Sequence, residues 1–413
     1  MREKTLQHCA RCGSCTVVCP VYEVTGRESL TARGRLHLLG TELAARPGNN
    51  FQDLFASCLL CGACEQACPR EINIRQLVVE ARSRFPALYG KHGVRKTAVR
   101  LALAQPRLLE GLARAGVQLK NMDLLPADSG LRLKLGLLER KKTWDKHPAP
   151  QSGRKGAGEG SVHYFSGCLA RFFQPSVAAA TGRLCRTLTG SDAHSPDAQV
   201  CCGLAAWSNG SIAEARRLAR RNIAAFAEDN GPILTSCASC SSFLQSYPDL
   251  FADDPEWHAR AASFCNRVTE FSSFFLPLTI GRTLRPGSPL NLYYHEPCHL
   301  RFDEKNRRAS LQLIANISAV TRLDSPETQH CCGQGGLFHI GYPELSGKIF
   351  SRIHAALPSA GSGMVVTTCS GCLLQWQAGL ALRNSPFAAR HLAVFLADCL
   401  ESESDANTGS INP

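Results

Sequence analysis

Two adjacent cysteines followed by glycine occur twice in this chain, in AQVCCGLAA (198–206) and in QHCCGQGG (329–336). Each pair is the centre of a larger pattern. Cys168, Cys201, Cys202, Cys237 and Cys240 recur as Cys298, Cys331, Cys332, Cys369 and Cys372, offset by 130 residues for the first three and 132 for the last two. Five residues repeating in register mark an internal duplication, so the carboxyl half must fold as two copies of one unit. Each copy must also bring together thiols that lie more than thirty residues apart in sequence.

The periodicity of each copy reads as alternating strands and helices. In the first, VHYF (162–165) is strand-like and leads into Cys168, and residues 175–188 suit a helix with Pro175 in its first turn. The segment before Cys201 is ambiguous. Ser211 and Glu214 have the spacing of a capping box for a helix that Gly231 would stop, and residues 233–235 form a strand running into Cys237. The second copy repeats this with LNLYY (290–294) before Cys298, a helix over 343–357, and MVVTT (364–368) before Cys369. The cysteines thus follow strands, and open parallel sheets collect ligands outside the carboxyl ends of their strands.

The amino-terminal section carries a different pattern. HCARCGSCTVVCP (8–20) and SCLLCGACEQACP (57–69) each match C-x2-C-x2-C-x3-C-P. In this ferredoxin run three closely spaced thiolates hold one cubane and the fourth crosses to the other. The expected sets are Cys9, Cys12, Cys15 and Cys68 for one 4Fe-4S cluster, and Cys58, Cys61, Cys64 and Cys19 for a second. Zinc is the alternative reading of C-x2-C, but it calls for pairs rather than three cysteines at i, i+3, i+6 and a fourth before proline. The 38 residues between Cys19 and Cys58 include helix-like TARGRLHLLGTELAAR (31–46), and INIRQLVVEARSRF (72–85) follows the second motif. A helical ferredoxin module is therefore expected.

Composition divides the chain further. The sections expected are 1–86, the ferredoxin module; 87–160, a basic helical connector ending in the Pro/Gly/Ser linker 147–161; 161–285 and 286–400, the two repeats; and 401–413, a disordered polar tail. The 21 cysteines, with no signal-peptide pattern before Cys9, indicate metal ligands in a reducing cytoplasm. The formal charge of +12 counts every cysteine as neutral. Eighteen thiolates on four clusters of core charge about +2 would bring it down to roughly +2, so nucleic-acid binding does not follow from it. No apolar run reaches the ~18 residues needed to span a bilayer, which leaves peripheral membrane contact. GAGEG (156–160) lacks a preceding strand and the rest of a nucleotide fingerprint, and no FAD or NAD site is expected.

Taken together, the double ferredoxin motif, the two C…CCG…C-x2-C copies, CPVYEVTGRESLTARGR (19–35), SGC (166–168) and HEPCHL (295–300) resemble the iron–sulfur subunit of bacterial glycolate oxidase and its D-lactate dehydrogenase relatives. The repeats also resemble the cysteine-rich catalytic subunit of heterodisulfide reductase. Ala32 stands where that family is expected to carry proline before Arg33-Gly34-Arg35, a difference confined to a turn. The resemblance implies an α/β protein with a helical ferredoxin module and duplicated Rossmann-like CCG domains. It implies one noncubane 4Fe-4S cluster on Cys168, Cys201, Cys202, Cys237 and Cys240 and another on Cys298, Cys331, Cys332, Cys369 and Cys372, with zinc as the alternative in one of them.

In that family a separate FAD subunit oxidises glycolate or D-lactate, and this chain would relay the electrons to membrane quinone or another acceptor. It would be an electron-transfer subunit that oxidises no substrate alone, with no catalytic residue assigned, in the cytoplasm or at the inner face of its membrane. The alternatives are a heterodisulfide-reductase-like subunit and the iron–sulfur subunit of anaerobic glycerol-3-phosphate dehydrogenase.

Outside the ligand sets, His295, His299 and His330 flank cysteines and read either as donors to thiolate or sulfide, or as local structural hydrogen bonds. Arg171 and Arg301 read as counter-charges or solvated positions, and Cys185, Cys265 and Cys399 as small buried hydrophobes. LRLKLGLLERKKTWDK (131–146) reads as the solvated face of a linker helix, with anionic lipid or an acidic partner as the alternative.

Overall fold

The structure, a computed structural model of the chain, describes residues 9–86, 88–121, 162–323, 330–358 and 361–408. The linker and the 131–146 segment lie outside them. The described connector residues form two helices, Gly93–Ala104 and Pro106–Asn121.

The amino-terminal module is helical. Its helices Ala32–Leu39, Asn49–Ala56 and Ile74–Ser83 bury Leu36, Phe51, Phe55, Leu77 and Val78 against one another and against the cysteine loops. The helix expected over 31–46 is shorter. Thr31 caps its start by accepting from Gly34 N, Gly40 closes it, and Glu42–Ala44 follows as a separate 3-10 turn. Ala32 occupies the first helical position, in the first turn, where proline fits without loss of a helical hydrogen bond.

Each repeat is a four-stranded parallel sheet. The strands are β1 (Val162–Phe165), β2 (Ala193–His194), β3 (Ile233–Thr235) and β4 (Val268–Glu270) in the first, and β5 (Leu290–Tyr294), β6 (Val320–Arg322), β7 (Gly363–Thr367) and β8 (Phe387–His391) in the second. The orders are β2-β1-β3-β4 and β6-β5-β7-β8. The chain leaves β1 to one side and returns to β3 on the other, and β5 and β7 do the same. Each sheet therefore has its switch point where the first and third segments of the cysteine pattern emerge. The central strands are buried on both faces, as parallel sheets require.

The capping box expected at Ser211 does not form. Ser211 begins the helix Ile212–Ala225, but its hydroxyl accepts from Arg100 of the connector, and Glu214 pairs with Arg217 instead of reaching back to the backbone. Tertiary contact has displaced a local one. The helix also ends at Phe226, ahead of Gly231. At the carboxyl end, the polar residues expected to be disordered continue the helix Leu392–Thr408.

The repeats exchange their last helices. Phe271–Phe275, which follows β4, packs on Glu304–Ala315 of the second repeat, while Leu392–Thr408, which follows β8, packs on Pro175–Thr189 of the first. Two cores run through both copies, one containing Phe165, Phe226 and Tyr247 with Tyr293, Phe350 and Trp376, the other Tyr164 and Leu234 with Tyr294, Leu313 and Leu396. This packing turns the carboxyl ends of the sheets toward each other, and Ala238 N donates to Thr368 O across the junction.

Candidate metal centres

In the helical module, Cys9, Cys12, Cys15 and Cys68 border one cavity of about 390 Å³ beside Ala32, Leu36 and Ile72. Cys19, Cys58, Cys61 and Cys64 border a second of about 430 Å³. The structure thus gathers the two predicted quartets, with the fourth cysteine of each motif crossing to the other. Cys64 also borders the first cavity, so the two share a wall. Cys12 is exposed, whereas burial pushes the Cys61 thiol up to about 12, helped by the nearby Cys298 thiolate.

The second cavity adjoins the second repeat. Val21, Leu30 and Leu59 share a core with Cys331, Phe338 and Ile349, with Cys19, Cys61 and Cys298 packed against it. An ion pair and a hydrogen bond hold this face, Arg352 to Glu23 at 2.5 Å and Tyr342 Oη to Asp53 Oδ1 at 3.0 Å. The module also contacts the first repeat. The buried Arg82 guanidinium donates to the carbonyls of Phe55, Cys58 and Ser208, and Tyr89 donates to Asn209 O.

The five cysteines of the first repeat form one buried group, with Cys168 Sγ 3.8 Å from Cys201 Sγ, Cys202 in contact with Cys201 and Cys240, and Cys237 in contact with Cys240. In the second, Cys332 Sγ is 3.3 Å from Cys372 Sγ, Cys331 contacts Cys298 and Cys332, and Cys369 contacts Cys372. Gly333 follows its pair at φ +84°, and a Cβ there would sit 2.8 Å from Ser346 O, so the turn that presents both thiols admits only glycine. The two groups touch, because Cys237 Sγ is 4.0 Å from Cys369 Sγ.

Packing five thiols together splits their proton affinities. Hydrogen bonds from Cys168 and then Cys202 hold Cys201 well below the usual thiol range, and hydrogen bonds from Cys331 and then Cys372 pull Cys332 down to about 6. A hydrogen bond to Cys202 and then one to Cys237 push Cys240 well up. Each set ionises fully only around a compensating cationic core. That is the chemistry of a polynuclear metal centre, and the five-thiolate sets fit one.

The flanking residues divide. His299 Nδ1 lies 3.0 Å from Ser239 Oγ and 3.8 Å from Cys298 Sγ; burial opposes its protonation, but the Cys298 thiolate prevails and raises it. His295 is fully buried, and among the described residues neither ring nitrogen has a hydrogen-bond partner. Burial, with Arg301 adding to it, pushes His295 down to about 3, so it is a neutral imidazole. His330 turns away toward Glu23, at 3.7 Å. Arg171 and Arg301 are tied to backbone, the first to Gln199 O and the second to Glu296 O, each lying over the next phenylalanine. Cys185, Cys265 and Cys399 are buried away from both groups. Sequence reading missed Ser239, whose hydroxyl in the first repeat lies 3.2 Å from Cys369 Sγ in the second. A serine between the cysteines of C-x2-C carries no signal of its own.

The fold and the cysteine groups define a class: a two-centre ferredoxin module joined to a duplicated cysteine-rich α/β domain. Comparison with known families agrees, matching residues 5–72 to the 4Fe-4S dicluster domain and residues 162–245 and 292–377 to the cysteine-rich CCG domain. The chain is 31% identical to the probable glycolate oxidase iron-sulfur subunit of Bacillus subtilis (strain 168) over 97% of its own length and 94% of that protein's. It belongs to the glycolate oxidase iron–sulfur subunit family. Lactate utilization protein A of Bacillus pumilus (strain SAFR-032) is 28% identical over 57% of this chain and 98% of its own length. Among solved structures, a hypothetical protein from Helicobacter pylori aligns with 83% of this chain and 74% of its own at 10% identity and a TM-score of 0.45. No helix among the described residues is long and apolar enough to cross a membrane.

Proposed function

We propose that this chain is the electron relay of a flavin-dependent 2-hydroxy acid dehydrogenase, carrying electrons from a separate FAD subunit that oxidises glycolate or D-lactate. One observation carries the reading. The four cysteine groups follow one another without a gap: the Cys9 quartet shares a wall with the Cys61 quartet, Cys61 adjoins Cys298, and Cys369 touches Cys237.

Oxidation of a 2-hydroxy acid releases a hydride equivalent, which a flavin accepts and an iron–sulfur cluster does not, whereas clusters pass single electrons. Two cubanes would occupy the amino-terminal quartets. Cys9, Cys12, Cys15 and Cys68 would hold the first, and Cys19, Cys58, Cys61 and Cys64 the second. Noncubane clusters would occupy the five-cysteine sets, with zinc in one of them as the variant form. The exposed Cys12 makes the first cubane the entry. The first repeat is then the terminus, although it precedes the second in sequence. Its outlet is a cleft of about 220 Å³ between Cys168, Arg171, Phe172 and Pro106, where a quinone or other acceptor would be reduced at the membrane face.

The Cys237–Cys369 contact also favours a second reading, in which the paired centres deliver two electrons to a disulfide that takes up two protons and leaves as two thiols. Anaerobic purification from the native host decides between them. The relay reading expects a copurifying flavoprotein and bleaching of the clusters by glycolate, D-lactate or, if the chain serves an anaerobic glycerol-3-phosphate dehydrogenase, glycerol 3-phosphate. It fails if no flavoprotein accompanies the chain and none of these substrates reduces it, and disulfide reductase activity of the isolated chain would favour the second reading.

A further inference from the structure

His295 Nδ1 or Nε2, Cys332 Sγ and Cys372 Sγ all lie within 4.8 Å of one another, in a fully buried cluster. No described residue pairs with either ring nitrogen of His295, and leaving an imidazole without partners in a dry core is strongly unfavourable. Whatever occupies the second repeat must therefore engage this ring. The ring is aimed by its surroundings: Trp376 packs against it at 5.6 Å between centroids, and His295 N donates to Val366 O of β7. Ligands on one tetrahedral metal, bound at the usual Zn–N and Zn–S lengths, sit about 3.5 Å apart, and those on neighbouring metals sit farther. The triad spans that range.

Among the described residues the first repeat shows no such triad. The 130-residue offset that superimposes Cys168 on Cys298 places Phe165 at the position of His295, and Phe165 is fully buried in apolar surroundings. The duplicated sites share five thiols and differ in this one donor.

We propose that His295 is a nitrogen ligand of the second-repeat centre, which makes that centre a mixed thiolate–imidazole site while the first repeat remains all-thiolate. The inference rests on the reading that the second repeat holds iron. Replacing thiolate by imidazole removes negative charge from a cluster and raises its reduction potential, as in Rieske centres. The two repeats then differ in potential.

The test uses the complex purified anaerobically from cells fed 15N-histidine, poised across a series of potentials and examined by pulsed EPR. One strongly coupled 15N is expected, lost in His295→Phe and retained in His299→Gln. The midpoint of one centre should fall in His295→Phe while the others hold. The reciprocal Phe165→His variant should add a second strongly coupled nitrogen, a check that does not depend on the His295 variant folding. Finding only weak coupling at every potential, as from a hydrogen bond, overturns the proposal but leaves the relay reading intact. A strong coupling that survives His295→Phe does the same. Absence of iron from the second repeat overturns the proposal, and reduction of the remaining clusters by the donor then decides the relay reading separately.

Discussion

Cys237 Sγ lies 4.0 Å from Cys369 Sγ, so the duplicated sites meet through one cysteine from each repeat. With iron in both, centres bridged by so short a contact interact magnetically. The fully reduced protein should show a broadened, coupled EPR signal. Cys237→Ser, which alters one side of the contact, should narrow it to that of an isolated second-repeat centre. Two independent spectra in the wild type would contradict the arrangement.

Cys61 stands between the helical module and Cys298. Cys61→Ser should leave the Cys9 quartet reducible by the physiological donor while the repeats stay oxidised. Steady-state transfer to the acceptor should drop by roughly tenfold or more, equal to about 1.4 kcal/mol on the barrier. Stopped-flow spectra at the cluster wavelengths check this. Iron analysis of the wild type should give about 16 atoms per chain for four clusters, and about 8 with added zinc if the repeats hold none.

Arg82 joins the module to the first repeat, donating to the carbonyls of Phe55, Cys58 and Ser208. Phe55 O keeps Cys58 N as a donor, whereas Arg82→Met takes the guanidinium from the Cys58 and Ser208 carbonyls, at about 1–3 kcal/mol each. Gly210 lies against the same helix end at φ +82°, where a Cβ would be 2.5 Å from Ser83 N and 2.6 Å from Arg82 C. Gly210→Ala should cost about 1–3 kcal/mol through overpacking. Both variants should melt earlier than the wild type in calorimetry of the loaded protein, with Arg82→Met the lower.

Glu270, at the end of β4, accepts from Ser272 N at 2.7 Å, yet burial pushes its carboxyl up to about 8. The unfolded chain loses this proton near 4.5. Between those values the folded state holds a proton that the unfolded state has released. This group therefore lowers stability as pH rises from about 4.5 to about 8, by a few kcal/mol at about 1.4 per unit, and adds no slope beyond. Glu270→Gln should remove that part of the slope and be the more stable variant at pH 8. Denaturant unfolding at pH 5 and pH 8 measures the difference, and parallel curves for the two proteins would refute it.

Much of the architecture was legible from pattern. The strands before Cys168, Cys237, Cys298 and Cys369 and the helix beginning at Pro175 were readable because their periodicity and proline signals act locally. Other features were not. Ser211 and Glu214 have capping-box spacing, but Arg100 takes the hydroxyl from another helix. Strands β4 and β8 are only partly apolar, and they exist because β3 and β7 offer edges to pair with. Among the three histidines beside cysteines, spacing alone does not separate His295, enclosed with Cys332 and Cys372, from His330, turned to Glu23.

By itself the sequence determined which cysteines belong together, because the ferredoxin run and the 130-residue duplication each encode a set at fixed spacing. Only the tertiary structure decided how the sets are ordered. The module touches both repeats, but it is the cysteine set of the second repeat, last in the chain, that lies against the Cys61 quartet, and the set of the first repeat is reached through it. That order follows from the exchange of terminal helices, which turns two sheet ends face to face and buries Cys237 against Cys369. Contacts across 132 residues depend on how whole surfaces pack, and no local periodicity records them.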